Sequence, residues 1–213
     1  MAAQQRRQGR TQAVRDLKRS LILNAARKVF EAEGLDGASL RAIAAEAGYT
    51  PAALYFHFDS KEAIYAEVLQ ASLGHLCEAV AKAVKRASTP AERMRAAALA
   101  FFDFYARNPG DLDLGFYLFR GGMKPKGLGK QRDETLNAAL ALALQPITEA
   151  AEDLGATRDE ARTLTVDTFA HAAGLLLLTH TGRIRMFGVS APKLMERYVD
   201  DVIRRWEGAA LRS

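Results

Sequence analysis

The sequence predicts an all-α fold, and three observations carry that expectation. Alanine and leucine dominate, no stretch alternates apolar and polar residues with period two, and apolar residues recur at three- and four-residue steps between cap-forming residues. No segment repeats at a fixed period. The 213 residues are 49% hydrophobic and 26% charged, which gives enough apolar material for a packed core and excludes pervasive disorder.

The elements follow in order. Residues 1–15 are polar and basic and read as a flexible arm. A first helix is expected over Asp16–Glu33, where Ile22, Ala25, Ala26, Val29 and Phe30 line one buried face and Gly34 offers a left-handed stop with Leu35 behind it. Ser39 caps a second helix, Leu40–Ala47, ended by Gly48. Thr50 caps a short third, with Pro51 at its first position, ending near Phe58. Ser60 caps a long fourth from Lys61 to about Ala87. A fifth follows Thr89-Pro90 and stops at Asn108-Pro109-Gly110, and a sixth spans Asp111–Arg120. Gly121–Lys130, with four glycines and Pro125, reads as a loop. A seventh helix runs over Gln131–Asp153 with a kink expected at Pro146, an eighth from Thr157 to about Arg185, and a ninth opens at Ser190. The ninth carries Met195, Tyr198, Val199, Val202 and Trp206 on one face.

Charge is unevenly placed. Residues 1–20 hold six basic side chains against one acid, a net +5, whereas residues 62–213 net only +1. A basic end on a near-neutral body suits a polyanion partner, and a solvated tail stays open on charge alone. Cys77 stands alone, so no disulfide framework is possible, in keeping with a reducing cytoplasm. The longest strongly apolar run, Phe169–Leu178, is half the roughly 20 residues that span a bilayer. The N-terminus has no apolar signal core, so the expected location is cytoplasmic with no membrane partner.

Catalytic chemistry finds little support. His171 and His180 lie nine apart and point to opposite helix faces, as do His75 and Cys77 at two apart. No thiolate pair has zinc spacing, and Cys77 reads as a small buried residue. The Gly121–Gly127 stretch lacks the phosphate-loop pattern and follows no strand. We therefore expect no enzyme, no metal and no cofactor.

The second and third helices, joined by the tight Gly48-Tyr49-Thr50 turn behind a packed first helix, form a helix-turn-helix, whose second helix enters the major groove by its N-terminal end. Thr50 and the free N–H groups there offer a phosphate site. Ala52 and Ala53 are small enough to let the backbone approach bases. Tyr55, His57 and Lys61 supply phosphate donors, and Arg41 can reach backbone or a guanine. Leu54 and Phe58 read as core, and Phe56 fits core or groove equally.

Residues Ile22–Val68 resemble the DNA-binding domain of the TetR family of transcriptional regulators. The resemblance rests most on Ala47-Gly48-Tyr49-Thr50, Ala53-Leu54-Tyr55-Phe56-His57-Phe58 and Ser60-Lys61-Glu62. It implies about nine helices, a homodimer on a palindromic duplex, and a C-terminal pocket whose ligand releases DNA. It also implies DNA contacts at Arg41, Thr50, Ala52, Ala53, Tyr55, Phe56, His57 and Lys61. Ala53 stands where the family often has glycine or threonine, so no base preference carries over; Tyr49 replaces a commoner aliphatic residue.

Beyond residue 68 the resemblance is one of helical layout. Domain boundaries are expected at 1–15, 16–60 and 61–213: a basic arm, the helix-turn-helix domain, and a helical ligand-binding and dimerisation domain. The fifth and sixth helices are rich in aromatics, so Phe101, Phe104, Tyr105, Phe116 and Phe169 are candidate walls of an apolar effector pocket, with Tyr105, Tyr117 or His171 orienting the ligand. Plain core packing would explain the same rings. Asp103 and Arg107 read as a surface pair. The eighth helix, with Ala170, Ala172, Ala173 and Gly174 beside Leu175–Leu178, and the ninth are the expected dimer surface. The functional expectation is a homodimeric repressor released by a small apolar effector. A same-fold activator, a ligand-independent regulator, and a helical enzyme or interaction module are the rivals.

Overall fold

The computed structural model describes residues 1–115 and 127–210, side chains at 2–8, 11, 209 and 210 excepted. The helices among them are α1 (Ala2–Gly37), α2 (Leu40–Ala47), α3 (Pro51–Tyr55), α4 (Lys61–Val84), α5 (Pro90–Arg107), α6 (Pro109–Gly115), α7 (Lys130–Asp153), α8 (Arg158–His180) and α9 (Ala191–Ala210), with a 3-10 helix at Arg183–Phe187. No strand occurs among the described residues. The chain divides into two compact units, one of residues 1–71 and 113–136, the other of residues 72–112 and 137–213. The expected boundary at 60/61 thus moves into α4, whose first eleven residues belong to the first unit.

In the first unit, α1 buries the expected face of Ile22, Ala25, Ala26, Val29 and Phe30. It begins at Ala2 rather than Asp16, because its early alanines, glutamines and arginines are good helix formers and proline is absent. Gly34 interrupts it at φ 72°, ψ 178°, a conformation essentially confined to glycine. Phe30 packs edge-on against Tyr65 of α4, with centroids 4.8 Å apart, and the Tyr65 hydroxyl donates to the Leu114 carbonyl at 2.9 Å. The caps act as the sequence suggests: Ser39 Oγ accepts from the Ala42 amide at 3.1 Å, and Ser60 Oγ from Ala63 at 3.1 Å. Gly48 takes the left-handed conformation at φ 71°, ψ 29° and closes α2.

In the second unit, α5 packs on α8 and α9, and α8 on α9. Phe101, Phe102, Ile147, Leu176, Met195 and Val199 are buried. Capping boxes start two of these helices. Thr89 and Glu92 exchange side-chain and backbone bonds at α5, and Thr157 and Glu160 do so at α8. Arg95 pairs with Asp200 at 2.9 Å, tying α5 to α9. The Asp103–Arg107 surface pair forms at 3.1 Å.

Several expected boundaries shift. The third helix ends at Tyr55, three residues early, and closes in a turn in which the His57 and Phe58 amides both donate to the Leu54 carbonyl, at 2.8 and 2.9 Å. The eighth ends at His180, where Gly182 adopts φ 72° and diverts the chain into the 3-10 helix. Cys77 is half-buried rather than buried, its thiol 3.6 Å from the Ala139 carbonyl. The second half of the expected sixth helix and the loop as far as residue 126 lie outside the described residues.

Candidate functional site

The recognition unit is built from three short elements. Leu54, 1% exposed, and Phe58, 4% exposed, anchor α3 from below. Five residues of helix have little cohesion of their own, so this anchoring fixes its pose. The opposite side is open: Thr50, Ala52 and Tyr55 are exposed and Ala53 is half-buried. Phe56 is 83% exposed, which removes it from the core and places it on the outward side. Thr50 Oγ1 accepts from the Ala53 amide at 3.3 Å, so the hydroxyl oxygen caps α3 while its proton stays available to a phosphate. Arg41 is exposed on α2.

One expected DNA contact has structural employment as well, and a second lies in a charged setting. Lys61 Nζ donates to the carbonyls of Ala38 at 2.9 Å and Asp36 at 3.5 Å, so its ammonium satisfies the turn between α1 and α2. His57 is half-buried, and its Nδ1 has no hydrogen-bond partner among the described residues. Burial, then Arg15, Arg19 and Lys18, hold its imidazole below the ordinary histidine value. The last fact locates something the motif could not: the basic residues of α1 gather beside the end of the recognition helix. Arg15 and Lys18 are exposed and carry no ion pair among the described residues. Arg19 turns inward, its guanidinium 4.4 Å from the Phe58 ring centroid. A charge count over residues 1–20 announced cations there, but their direction depends on the packing of α1.

In the second unit the candidate aromatics form a connected chain of edge-to-face contacts. Phe104 meets Tyr105 at 5.2 Å, Tyr105 meets Phe101 at 5.2 Å, and Phe101 meets Phe169 at 5.7 Å. Phe101 and Tyr105 are buried, Phe104 and Phe169 half-buried. Burial, with lesser contributions from Asp111 and Cys77, pushes the Tyr105 hydroxyl far above the usual phenol range, so it stays a neutral donor. His180 Nε2 lies 3.1 Å from the Tyr105 carbonyl. His171 does not join these rings. It stacks on Tyr198 of α9 with centroids 4.0 Å apart, because two residues past Phe169 a helix has turned to another face. Phe116 and Tyr117 lie outside the described residues. A groove of about 620 Å³ lies elsewhere in this unit, along Asp159, Thr163, Asp167 and Trp206.

Among the described residues no cluster of three or more His, Cys, Asp or Glu is placed to hold a metal, and no helix is long and apolar enough to cross a membrane. The family described as bacterial regulatory proteins, tetR family, matches residues 22–68, the stretch from the first buried residue of α1 into α4. The transcriptional activator FasR of Mycolicibacterium smegmatis is 40% identical over 90 residues, 42% of this chain and 41% of that protein's length. The transcriptional repressor NicS of Pseudomonas putida is 30% identical over 148 residues, 68% of each chain. The transcriptional regulator FadR from Bacillus subtilis, solved in complex with stearoyl-CoA, superposes with a TM-score of 0.63 at 15% identity, over 86% of this chain and 96% of that one. The helix-turn-helix geometry and a relative matched over two thirds of its length agree: the chain belongs to the tetR family and is a DNA-binding transcriptional regulator.

Proposed function

We propose that this regulator is a cytoplasmic homodimeric repressor that reads a palindromic duplex through α3 and leaves it when a small apolar ligand binds the second unit. The observation that carries the DNA half is the two-sidedness of α3: Leu54 and the following Phe58 are buried while Thr50, Ala52, Tyr55 and Phe56 face out. Ala52, Ala53 and Phe56 read bases, Thr50, Tyr55, His57 and Lys61 hold phosphates, and Arg41 approaches from α2. Arg15 and Lys18 extend the phosphate track on α1. One helix of five residues reads too few base pairs for useful specificity, and a two-fold protein doubles the site.

The dimer surface is the outward row of α8. Val166, Ala170, Gly174 and Leu177 recur at helical spacing and are all exposed, and a side chain at Gly174 would meet open space. The ligand half rests on the chain of rings from Phe104 to Phe169, which suits a flat or greasy molecule oriented by few polar groups. FadR, of the same fold, holds stearoyl-CoA. The ligand acts along α4, which contributes residues to both units, and only by binding one of its states better than the other.

Repression is favoured because the match to NicS runs over 148 residues, whereas that to FasR covers 90. The higher identity to FasR favours activation as the second reading. Selection from a random duplex pool, followed by release with long-chain acyl-CoA and free fatty acids and a reporter assay, tests all parts. A palindromic product, lost affinity with one of these ligands, and derepression are the expected results. Binding without release removes the coupling, and transcription that falls when the gene is deleted reverses the sign.

A further inference from the structure

Arg19 uses all three nitrogens of its guanidinium and one of its two faces. Nε donates to Glu67 Oε2 at 3.0 Å, Nη2 pairs with Glu67 Oε1, Nη1 donates to the His57 carbonyl at 2.8 Å, and the plane covers the Phe58 ring. One side chain thereby joins α1, the turn that ends α3, and α4. The fork geometry is what allows this, since a lysine ammonium offers no parallel pair of donors to a carboxylate.

We propose that Arg19 is the positioning residue of the recognition helix: it sets the angle at which α3 meets the groove and does not itself touch DNA. The proposal rests on α3 being the recognition element. That helix has apolar anchors on one side, Leu54 and Phe58, and a rod held on one line of contacts can rock about it. The tie from Arg19 to the His57 carbonyl fixes the far end, and Glu67 holds Arg19 in place from α4. The arginine is also the inward member of a row whose other members, Arg15 and Lys18, are exposed and free to meet phosphates. Removing Arg19 leaves the His57 carbonyl and the Glu67 carboxylate without this partner and uncovers the Phe58 ring, while the outward groups that face DNA keep their chemistry.

A phosphate contact and a positioning contact give different binding signatures. Losing a phosphate contact weakens every duplex alike and flattens the dependence of log affinity on log salt by about 0.9. Losing a positioning contact spares the salt slope and the affinity for arbitrary sequence, and costs affinity for the preferred sequence alone. The experiment uses the full chain with Arg19→Ala, Arg19→Lys and Glu67→Gln, the duplex that the wild type enriches from a random pool, and a scrambled duplex, across a salt series. Thermal melting reports folding.

The expected result for Arg19→Ala is a loss of about tenfold or more on the enriched duplex, the scale of one charge-assisted hydrogen bond. Scrambled-duplex affinity and salt slope stay as in the wild type. Arg19→Lys falls between, and Glu67→Gln moves in the same direction as Arg19→Ala. Should Arg19→Ala melt too early to use, the other two carry the test, since each keeps a polar side chain at its position. Equal losses on both duplexes with a flatter slope would make Arg19 a phosphate contact and overturn the proposal. Unchanged discrimination in all folded variants would overturn it as well. A wild type that enriches no sequence at all would instead remove α3 as the recognition element, and the positioning role with it.

Discussion

His57 shows how one side chain answers to two environments. In the DNA-free protein, burial and the cations Arg15, Arg19 and Lys18 hold its imidazole below 6.5, so the folded state favours the neutral ring. A group depressed on folding contributes stability that is full above its unfolded value and is lost as pH falls below 6.5. His171, depressed by burial and then Arg197, acts in the same direction. A phosphate beside His57 has the opposite preference, since it favours the protonated ring. Operator affinity is therefore expected to rise as pH falls through and below 6.5, while the melting temperature falls. Titration of affinity against pH in wild type and His57→Gln checks this: the variant keeps binding but loses the rise. A rise of equal size in His57→Gln assigns it to other groups. The residues of α3 were legible because a short helix has few ways to bury Leu54 and Phe58. Phe56 was not, since its periodicity fits either side and only the packing around α3 decides that its ring is left 83% exposed. Lys61 looked like a free cation because a sequence does not reveal which backbone carbonyls lie across a turn.

At the scale of elements, the helix starts were readable wherever a local bond makes them. Ser39, Thr50, Ser60 and Thr157 all cap as their positions suggest, and Thr89, just before the fifth helix, caps as well. The ends were less so, because a helix stops where tertiary packing redirects the chain. The expected run of the eighth helix to about Arg185 stops at His180, where the sequence turns polar and Gly182 diverts the chain, whereas Gly174, set among alanines and leucines, stays helical. Gly34 is the sharper case. At φ 72°, ψ 178° it departs from the simple left-handed cap expected of it, and a Cβ there is strained whatever space surrounds it. Gly34→Ala is expected to destabilise the protein by about 1–3 kcal/mol, lowering its melting temperature. Gly74→Ala, in the body of α4 with no atom near the added methyl, is expected to be neutral or stabilising. Equal melting temperatures for Gly34→Ala and wild type would show that α1 bends freely at another residue.

At the scale of the whole molecule, the two units carry separable demands. The first carries the helix-turn-helix, and the second carries the connected rings and the exposed apolar row of α8, to which the proposed function assigns the ligand and the partner copy. Leu177, 56% exposed, lies on that row and outside the monomer's core. Leu177→Glu is expected to leave the fold intact, halve the mass in solution and cost most of the operator affinity, because each half-site then binds alone. Analytical ultracentrifugation at micromolar concentration with circular dichroism checks it; a dimer of unchanged stability would move the interface elsewhere. The order of the helices among the described residues was legible because caps and apolar spacing are local. The division of the chain was not: α4 is a single uninterrupted helix, and Gly74, two residues past the change of membership at Ser72, stays helical and marks no break.

If positions 52, 53 and 56 read bases as proposed, their separation from the anchoring side of α3 bears on how such a regulator changes its targets. Leu54 and Phe58 secure the helix, while positions 52, 53 and 56 are exposed or half-buried and support no core. Exposed substitutions of this kind typically shift stability by no more than about 0.5 kcal/mol. A gene duplicate can therefore drift at these three codons without first acquiring compensating mutations, and most drifted copies stay folded. Retargeting becomes a walk across a nearly flat stability landscape, in which selection acts on which promoter is occupied and hardly at all on whether the protein survives in the cell. A combinatorial library at Ala52, Ala53 and Phe56 should accordingly yield abundant, stable proteins whose preferred duplexes diverge from one another.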